Sequence, residues 1–288
     1  MKNKHSFLLI IFYFLFIASL HSMDWPVEYE RLTGNFGLNN EGMPYLGAAF
    51  ESTDLIRASG DGELLFRRRE GDRASRLPSP LGSWTALEHN GIIGIYSRYD
   101  DSSAPDLPEI IWRGTPIAES GISGWSSHTG MYFQLFDRRD RRWINPSMII
   151  TSQDTRAPVI VSVMLRNQEG VLINPLQPGN ISQGSYTVIV NANDTMLSPN
   201  DPPLAPFRIT SILNDREAGV LGFENYFARD GSLMVNRNGL VPVRQVFAPA
   251  PAFEAADIWL IRGRNSLEIV VLDEAGNSRN AVFIFVVE

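Results

Sequence analysis

The sequence predicts an all-β protein. From Leu32 onward, short apolar runs alternate with clusters of Gly, Asp, Asn and Pro, and no long segment shows the periodicity of an amphipathic helix. The segment "MYFQLF" at 131–136 alternates apolar residues with Tyr132 and Gln134, which predicts a half-buried strand. These features together favour a chain of short strands joined by turns.

Residues 1–22 predict a signal peptide. Lys2, Lys4 and His5 form a basic start, an apolar run of signal-core length follows, and Ser22 offers a small cleavage residue. The run is short for a membrane span, and no second run follows it. We therefore expect an exported protein in the periplasm or cell envelope with no stable membrane span after cleavage; an uncleaved anchor is the alternative.

The composition excludes several kinds of site and partner. A net charge of -7 and a pI near 5.2 argue against nucleic acid or anionic membranes as general partners. The chain has no cysteine, so disulfides, thiolate metal sites and lipid attachment to cysteine are excluded.

Two short turns predict β-hairpins in the first half of the chain. "SGDGELLFRRR" places Asp61-Gly62 before a strand at 63–66. "WTALEHNGIIGIYSRY" places Asn90-Gly91 between a strand through Leu87 and a strand at 92–99.

A change of composition at 147–158 predicts a domain boundary. "SMIITSQDTRAP" passes from apolar to polar residues and ends at Pro158, which is typical of a short linker. After it come runs of β-sandwich strand length, and the last two are joined by "DEAGNS". We expect a first domain over 31–150 and a second over 157–288.

The first of these domains resembles the lysostaphin and LytM family of zinc endopeptidases, which cut peptide cross-bridges in bacterial cell walls. Its blocks, in the family's order, are "LTGNFGLNNEGMPYLGAAF", "LIRASGDGELLF", "WTALEHNGIIGIYSRYDD", "GTPIAESGISGWSSHTGMYFQLF" and "WINPSMII". The resemblance implies a LytM-like β-sheet peptidase fold with a groove. Residues 157–288 are similar to bacterial immunoglobulin-like β-sandwich domains through "APVIVSV", "GSYTVIVNAND" and the D-x-A-G-N turn of the closing segment.

The family's metal ligands are missing from this sequence. In the family, zinc is bound by H-x-G-x-D and by the second histidine of H-x-H; the matching positions here are Tyr45, Ala49 and Tyr132. The family's two other histidines fall on Arg98 and Gly130. The resemblance therefore implies an inactive homologue with no catalytic residue, no metal and no cofactor.

Two histidines remain after the signal segment. His89, beside the Asn90-Gly91 turn, is expected to be a hydrogen-bonded scaffold residue. His128 precedes the 131–136 strand, and a two-residue shift in register would keep the faces of that strand. A rebuilt zinc site of His128, His89 and an acid such as Asp137 is the enzymatic alternative.

The former ligand positions predict either plain packing or a shallow groove. Tyr45, Tyr132, Arg98 and Trp125 fill the cleft in the first case; in the second they form an aromatic floor with one cation, suited to a peptide or glycan that carries a carboxylate. The candidate binding residues of this degenerate groove are Tyr45, Ala49, Arg98, Trp125, His128, Gly130 and Tyr132.

The second domain offers two weaker signals. Asp273, Glu274 and Asn277 suggest calcium, but their spacing is not that of a calcium loop and favours a polar turn. The insert at 221–247 carries Phe223, Tyr226 and Phe227, which we expect to be exposed and to dock on another protein.

The sequence thus predicts an exported, non-catalytic LytM-like protein that binds peptidoglycan or a cell-wall hydrolase and regulates or localises wall cleavage. A zinc endopeptidase with a rearranged site and a structural or adhesive surface protein are the alternatives.

Overall fold

A computed structural model describes residues 23–40, 42–70, 77–152, 154–177, 181–195, 201–249 and 251–288. The predicted signal peptide lies outside these residues. In the described part of the chain, no helix is long and apolar enough to cross a membrane. The helices found there are short 3-10 turns at Tyr29–Arg31, Asp101–Ser103, Pro146–Met148 and Val243–Gln245.

All other regular structure in the described residues is β-strand, so the all-β prediction is confirmed. The strands up to residue 150 are β1 (Leu32–Gly34), β2 (Asn39–Asn40), β3 (Met43–Pro44), β4 (Gly47–Glu51), β5 (Leu55–Arg57), β6 (Gly62–Arg68), β7 (Trp84–His89), β8 (Ile92–Ser97), β9 (Ile110–Ile111), β10 (Pro116–Glu119), β11 (Gly130–Asp137) and β12 (Arg142–Ile144). The later strands are β13 (Val159–Arg166), β14 (Leu172–Ile173), β15 (Gly184–Asn193), β16 (Arg208–Leu213), β17 (Arg216–Arg229), β18 (Ser232–Arg237), β19 (Leu240–Pro242), β20 (Ala252–Leu260), β21 (Gly263–Leu272) and β22 (Ser278–Val287).

One large sheet runs through both the first part (residues 23–150) and the second part (residues 157–288). Its strand order is β22-β21-β16-β17-β12-β11-β8-β7-β6-β9. The parts meet where β12 pairs antiparallel with β17, with Trp143 opposite Tyr226. The backbone hydrogen bonds of one sheet therefore connect the two parts that the predicted linker separates in sequence.

The second part contains a two-layer arrangement. A separate sheet of order β14-β13-β15-β20 faces the β16, β17, β21 and β22 portion of the large sheet. Side chains of both layers, such as Val188 and Ile269, share one buried apolar core. Strand burial alternates along β21 and β22, as expected where one face of a sheet is covered.

The two apolar cores exchange residues between the parts. Phe36 of the first part is 1 % exposed and belongs to the core of the second part, together with partly buried Leu38 and Leu46. Leu204 of the second part belongs to the core of the first part. Apolar burial as well as strand pairing therefore holds the two parts together.

A polar contact complements this apolar packing. The carboxylate of Glu274, in the turn between β21 and β22, accepts hydrogen bonds from Asn35 Nδ2 at 3.1 Å, Asn145 Nδ2 at 3.1 Å and Ser147 Oγ at 2.5 Å. Burial raises the pKa of Glu274. Hydrogen bonding offsets the cost of burying the carboxylate, and each bond also fixes the second part against the first.

One predicted hairpin is confirmed, and the other is wrong. β7 and β8 pair directly around Asn90 and Gly91, whose φ values of 53° and 90° suit a two-residue hairpin turn. The segments flanking Asp61-Gly62 do not pair with each other. β5 pairs with β10, and β6 pairs with β7 and β9.

Two burial predictions are also wrong. β11 is buried on both faces from Gly130 to Leu135 rather than half-buried, because one face lies in the core of the first part and Tyr45 and Arg98 cover Tyr132 on the other face. Phe223 and Tyr226 are fully buried rather than exposed. The Tyr226 ring stacks on Phe36 at 4.7 Å, so this part of the insert packs against the protein's own first part.

The burial of Tyr226 leads to a test of this junction. Its hydroxyl is buried and has no hydrogen-bond partner among the described residues. Tyr226→Phe should therefore raise the free energy of unfolding by up to about 1 kcal/mol, because an unsatisfied polar group is removed. Phe36→Ala should lower it by about 3–5 kcal/mol through lost burial and a cavity. Urea unfolding measures both changes. A clear loss of stability in Tyr226→Phe would contradict the conclusion that the Tyr226 hydroxyl has no hydrogen-bond partner.

Candidate functional site

The residues at the former ligand positions lie on one face of the large sheet. Tyr132 of β11 is directly opposite Ala49 of β4 and Ser97 of β8, and Ser97 is opposite Trp84 of β7. Directly paired residues in antiparallel strands point to the same face. Ala49, Tyr132, Ser97 and Trp84 thus form a row across four strands, and we call this side of the sheet the groove face.

The groove face is covered at one end and accessible at the other. Phe136, four residues after Tyr132 on the same face, is opposite Trp143, which is opposite the fully buried Tyr226. At the far end, Trp84 is only partly buried, and its ring contacts Phe66 at 5.0 Å. Phe66 is 52 % exposed. The second part therefore leaves the Trp84 end of the face open to solvent.

Tyr132 fills the middle of the row. Its hydroxyl accepts a hydrogen bond of 2.7 Å from the backbone N–H of Leu46, and its ring meets Tyr45 edge-on at 5.7 Å. The small neighbours Ala49 and Ser97 leave room for the ring. Burial raises the pKa of the Tyr132 phenol, so the side chain remains a neutral packing group at physiological pH.

Arg98 lies above this tyrosine. The residue has φ = 69°, and its N–H is shared between Leu81 O at 3.0 Å and Ser83 O at 2.9 Å. The left-handed conformation breaks the alternation of β8, which explains how Arg98 follows Ser97 and still reaches the groove face. Its guanidinium carbon lies 4.9 Å from the centre of the Tyr132 ring, a cation–π arrangement.

The guanidinium of Arg98 is incompletely satisfied. Its Nε is buried without a hydrogen-bond partner, and no carboxylate forms an ion pair with it in the described part of the chain. A partly buried cation without an acceptor is costly. The groove face therefore presents one positive charge that the described protein groups do not neutralise.

The residues present do not fit the zinc ion of the family. Ala49 has no donor atom, and the Tyr132 hydroxyl is neutral and bonded to Leu46. Gly130 has no room for a side chain, because an added Cβ would lie 2.0 Å from the carbonyl oxygen of Phe50. A histidine at residue 130 would require the backbone to move.

Trp125 and His128 precede β11 in the chain, and both are exposed. Trp125 is 75 % exposed, and its ring contacts no other aromatic ring among the described residues. His128 is exposed, and its Nδ1 is 2.8 Å from Ser127 Oγ. Of the predicted residues, the structure therefore brings Tyr45, Ala49 and Arg98 next to Tyr132.

The rebuilt site of two histidines and Asp137 is not assembled. His89 is buried, with Nδ1 2.8 Å from Asp61 O and Nε2 3.2 Å from Tyr96 Oη, and burial lowers its pKa. Asp137 ends β11 opposite Ile92, whereas His128 precedes the start of β11. The length of that strand, about 23 Å at ~3.3 Å per residue, separates them. His89 has the expected scaffold role.

Sequence reasoning missed Trp84 and Phe66. The signal was available, since a two-residue turn at Asn90-Gly91 fixes the hairpin register and places Trp84 opposite Ser97. The side of the hairpin that faces Tyr132 depends on the pairing of β8 with β11, which is distant in sequence.

The structure also brings together an acidic cluster, of which the sequence indicated only Asp273. Carboxylate oxygens of Asp154, Asp194 and Asp273 lie within 4.8 Å of one another. Burial, then repulsion from Asp154 and Asp273, raises the pKa of Asp194 to about 7. Hard oxygen ligands of this type suit calcium, which needs six or more of them. Asp273 also accepts hydrogen bonds from Ala275 N and Asn277 N, as expected of a polar turn.

A cavity of about 440 Å³ lies beside the groove face rather than on it. Its lining includes Glu70, Asp100 and Asp101 together with hydroxyl groups of Ser120 and Ser123. None of the candidate groove residues lines it. The cationic groove position and this acidic cavity are therefore separate features.

Comparisons with known proteins give the following matches. One family model, which carries no description, matches residues 157–288. A search of curated proteins gave no significant match. Among solved structures, 28 chains match. One is a zinc-containing peptidase from Vibrio cholerae, with 20% identity and a TM-score of 0.34 over 41% of this chain and 37% of that chain.

Two further matches cover nearly the whole of the matched protein. The catalytic domain of a prophage-encoded M23 protein from Enterococcus faecalis has 15% identity and a TM-score of 0.36 over 44% of this chain and 96% of that chain. The antimicrobial peptidase lysostaphin from Staphylococcus simulans has 12% identity and a TM-score of 0.35 over 92% of this chain and 100% of that chain. The chain spans little more than a third of the Vibrio cholerae peptidase. At these low identities and TM-scores, no activity is carried over from these proteins.

The acidic cluster predicts a pH-dependent stability. Because the pKa of Asp194 is raised to about 7 in the folded state, the folded protein binds a proton that the unfolded chain has released. The contribution of protonated Asp194 to the free energy of unfolding is fully present below about pH 4. It is lost as the pH rises to about 7, at up to about 1.4 kcal/mol per pH unit. Urea unfolding from pH 5 to 8 in metal-free buffer should show this decline.

Asp194→Asn should flatten the decline and make the protein more stable than wild type at pH 8. Asp230→Asn is the matched control, because the Asp230 side chain is 92% exposed. An unchanged pH slope in Asp194→Asn would contradict the assignment.

Proposed function

We propose that this protein is an exported, non-catalytic relative of the LytM-like peptidases that binds peptidoglycan in the cell envelope. The observation that carries the proposal is the arrangement of Arg98 and Tyr132 at the former metal position. Tyr132 is held by Leu46, and the Arg98 cation above it has no carboxylate partner among the described residues. This arrangement supports binding of an anionic group and does not support a zinc-activated water.

The resemblance of the first part supports wall peptides as the ligand of this groove. In the family, the groove receives the peptide cross-bridges of the cell wall, and a wall peptide whose end is not cross-linked keeps a free carboxylate. An uncompensated arginine on the groove face is suited to such a group, since guanidinium and carboxylate form paired hydrogen bonds. Retained peptide recognition without zinc chemistry therefore gives a binding protein.

Binding in the groove would localise or regulate wall cleavage carried out by a separate hydrolase. The signal segment at 1–22 supports delivery to the envelope. The fully buried Phe223 and Tyr226 lend no support to partner docking through that portion of the insert.

Absence of zinc chemistry gives the first test. Mature protein, residues 23–288, should retain far less than one zinc per chain after exposure to zinc and dialysis, and it should release no soluble fragments from purified sacculi. Mass spectrometry of bound metal measures the first, with an active LytM-family peptidase treated in parallel. Stoichiometric zinc that His128→Ala removes would establish the enzymatic alternative instead.

Binding gives the second test. Wild-type protein should cosediment with purified peptidoglycan sacculi, and Arg98→Glu should reduce the bound fraction severalfold because the charge that attracts the carboxylate is reversed. Arg229→Glu is the matched control, since that arginine lies in the second part with a side chain 68% exposed. Thermal unfolding of each variant checks folding. Absence of cosedimentation by folded wild type would refute the peptidoglycan function.

A further inference from the structure

We infer that the groove face reads the free carboxyl end of a peptide, with Arg98 taking the terminal carboxylate and the Trp84–Phe66 pair taking an apolar side chain two or three residues before it. This inference rests on the proposed function and specifies its ligand. The carrying features are an unneutralised cation and an open aromatic pair on the same face of one sheet.

The carboxylate assignment follows from the state of Arg98. Its Nε is buried and therefore closed to a ligand, but its terminal Nη groups are not among the buried unpaired atoms, and the Tyr132 ring leaves them open to approach from one side. A planar carboxylate satisfies such a fork with two hydrogen bonds. The net charge of -7 disfavours a polyanionic ligand, whose remaining charges would be repelled. A single carboxylate is therefore the favoured anion.

The backbone of Arg98 also indicates a fixed binding group. A non-glycine residue at φ = 69° is strained, and the shared hydrogen bonds from its N–H to Leu81 and Ser83 hold it there. The same conformation places the guanidinium on the groove face, whereas regular alternation would direct it to the opposite side. The cation is thus held in position before any ligand arrives.

The apolar contact follows from the register of the strands. Trp84 and Tyr132 are both directly opposite Ser97, so two strand spacings, about 10 Å, separate them across the sheet. Between them lies Ser97, which is fully buried and whose hydroxyl donates to Tyr132 O at 2.8 Å, so a ligand spans this covered position and contacts the groove face at its two ends. An extended peptide covers about 10 Å in three residues. A side chain near that distance from the carboxylate reaches the Trp84–Phe66 pair.

The exposure of this aromatic pair is consistent with ligand contact. Phe66 is 52 % exposed although it contacts Trp84 at 5.0 Å, so the two rings offer an apolar surface that the described protein leaves uncovered. Aromatic rings of this kind gain most from contact with an apolar side chain. The positive charge and the apolar surface together define a direction for the peptide along the groove face.

Matched tetrapeptides test the inference. The probes are an N-acetylated alanine tetrapeptide with leucine two residues before the C-terminus, the same peptide as its C-terminal amide, and the free acid with serine in place of leucine. NMR titration of mature protein should give a dissociation constant about 10- to 100-fold lower for the acid than for the amide, because a charge-assisted pair is lost in the amide. Serine in place of leucine should weaken binding severalfold.

Variants separate the two contacts. Arg98→Gln should abolish the preference for acid over amide, and Phe66→Ala should abolish the preference for leucine over serine. Leu172→Ala is the matched control for the latter, because Leu172 is 54 % exposed in the second part. Each variant should unfold at the wild-type temperature before its binding is compared.

The outcomes distinguish this inference from the proposed function. Sacculus binding with equal affinity for acid and amide, or an acid preference that survives in Arg98→Gln, overturns the inference and leaves the function standing. An acid preference that requires Arg98, without sacculus binding, supports the inference and overturns peptidoglycan as the target. Failure to bind any of the peptides overturns the inference.

Discussion

The pairing of β12 with β17 is the constraint on which the rest of the structure depends. It places Tyr226 against Phe36, and Phe36, Leu38 and Leu46 then pack into the core of the second part. Leu46 in turn supplies the N–H that holds the Tyr132 hydroxyl. The position of the Tyr132 side chain is therefore set by contacts between the two parts as well as by its own strand, β11.

Local sequence predicted those features of the fold whose causes are local. The Asn90-Gly91 hairpin was predictable because two residues fix both the turn and the register. The Asp61-Gly62 hairpin was not, because β5 finds its partner in β10, about sixty residues further along. Tyr226 looked exposed for the same reason: its neighbour Phe36 is distant in sequence, and no local pattern reports such burial.

The candidate site was predicted in part, through resemblance rather than periodicity. The resemblance placed Tyr45, Arg98 and Tyr132 together, and the structure brings their side chains into contact. It did not indicate the left-handed backbone of Arg98, which depends on acceptors in the Leu81–Ser83 loop. The acidic cluster was also beyond reach, because Asp154, Asp194 and Asp273 come from three separate segments.

The energetics of Arg98 differ from what simple filling of a cleft would require. If the cleft only needed filling, Tyr132 with its hydrogen bond to Leu46 would suffice, and a neutral residue beside it would avoid the cost of a partly buried cation. Arg98 instead has a strained backbone and a buried Nε without an acceptor. Both penalties reduce the stability of the free protein. Packing alone leaves this arrangement unexplained, and for this reason we propose an anionic ligand for it.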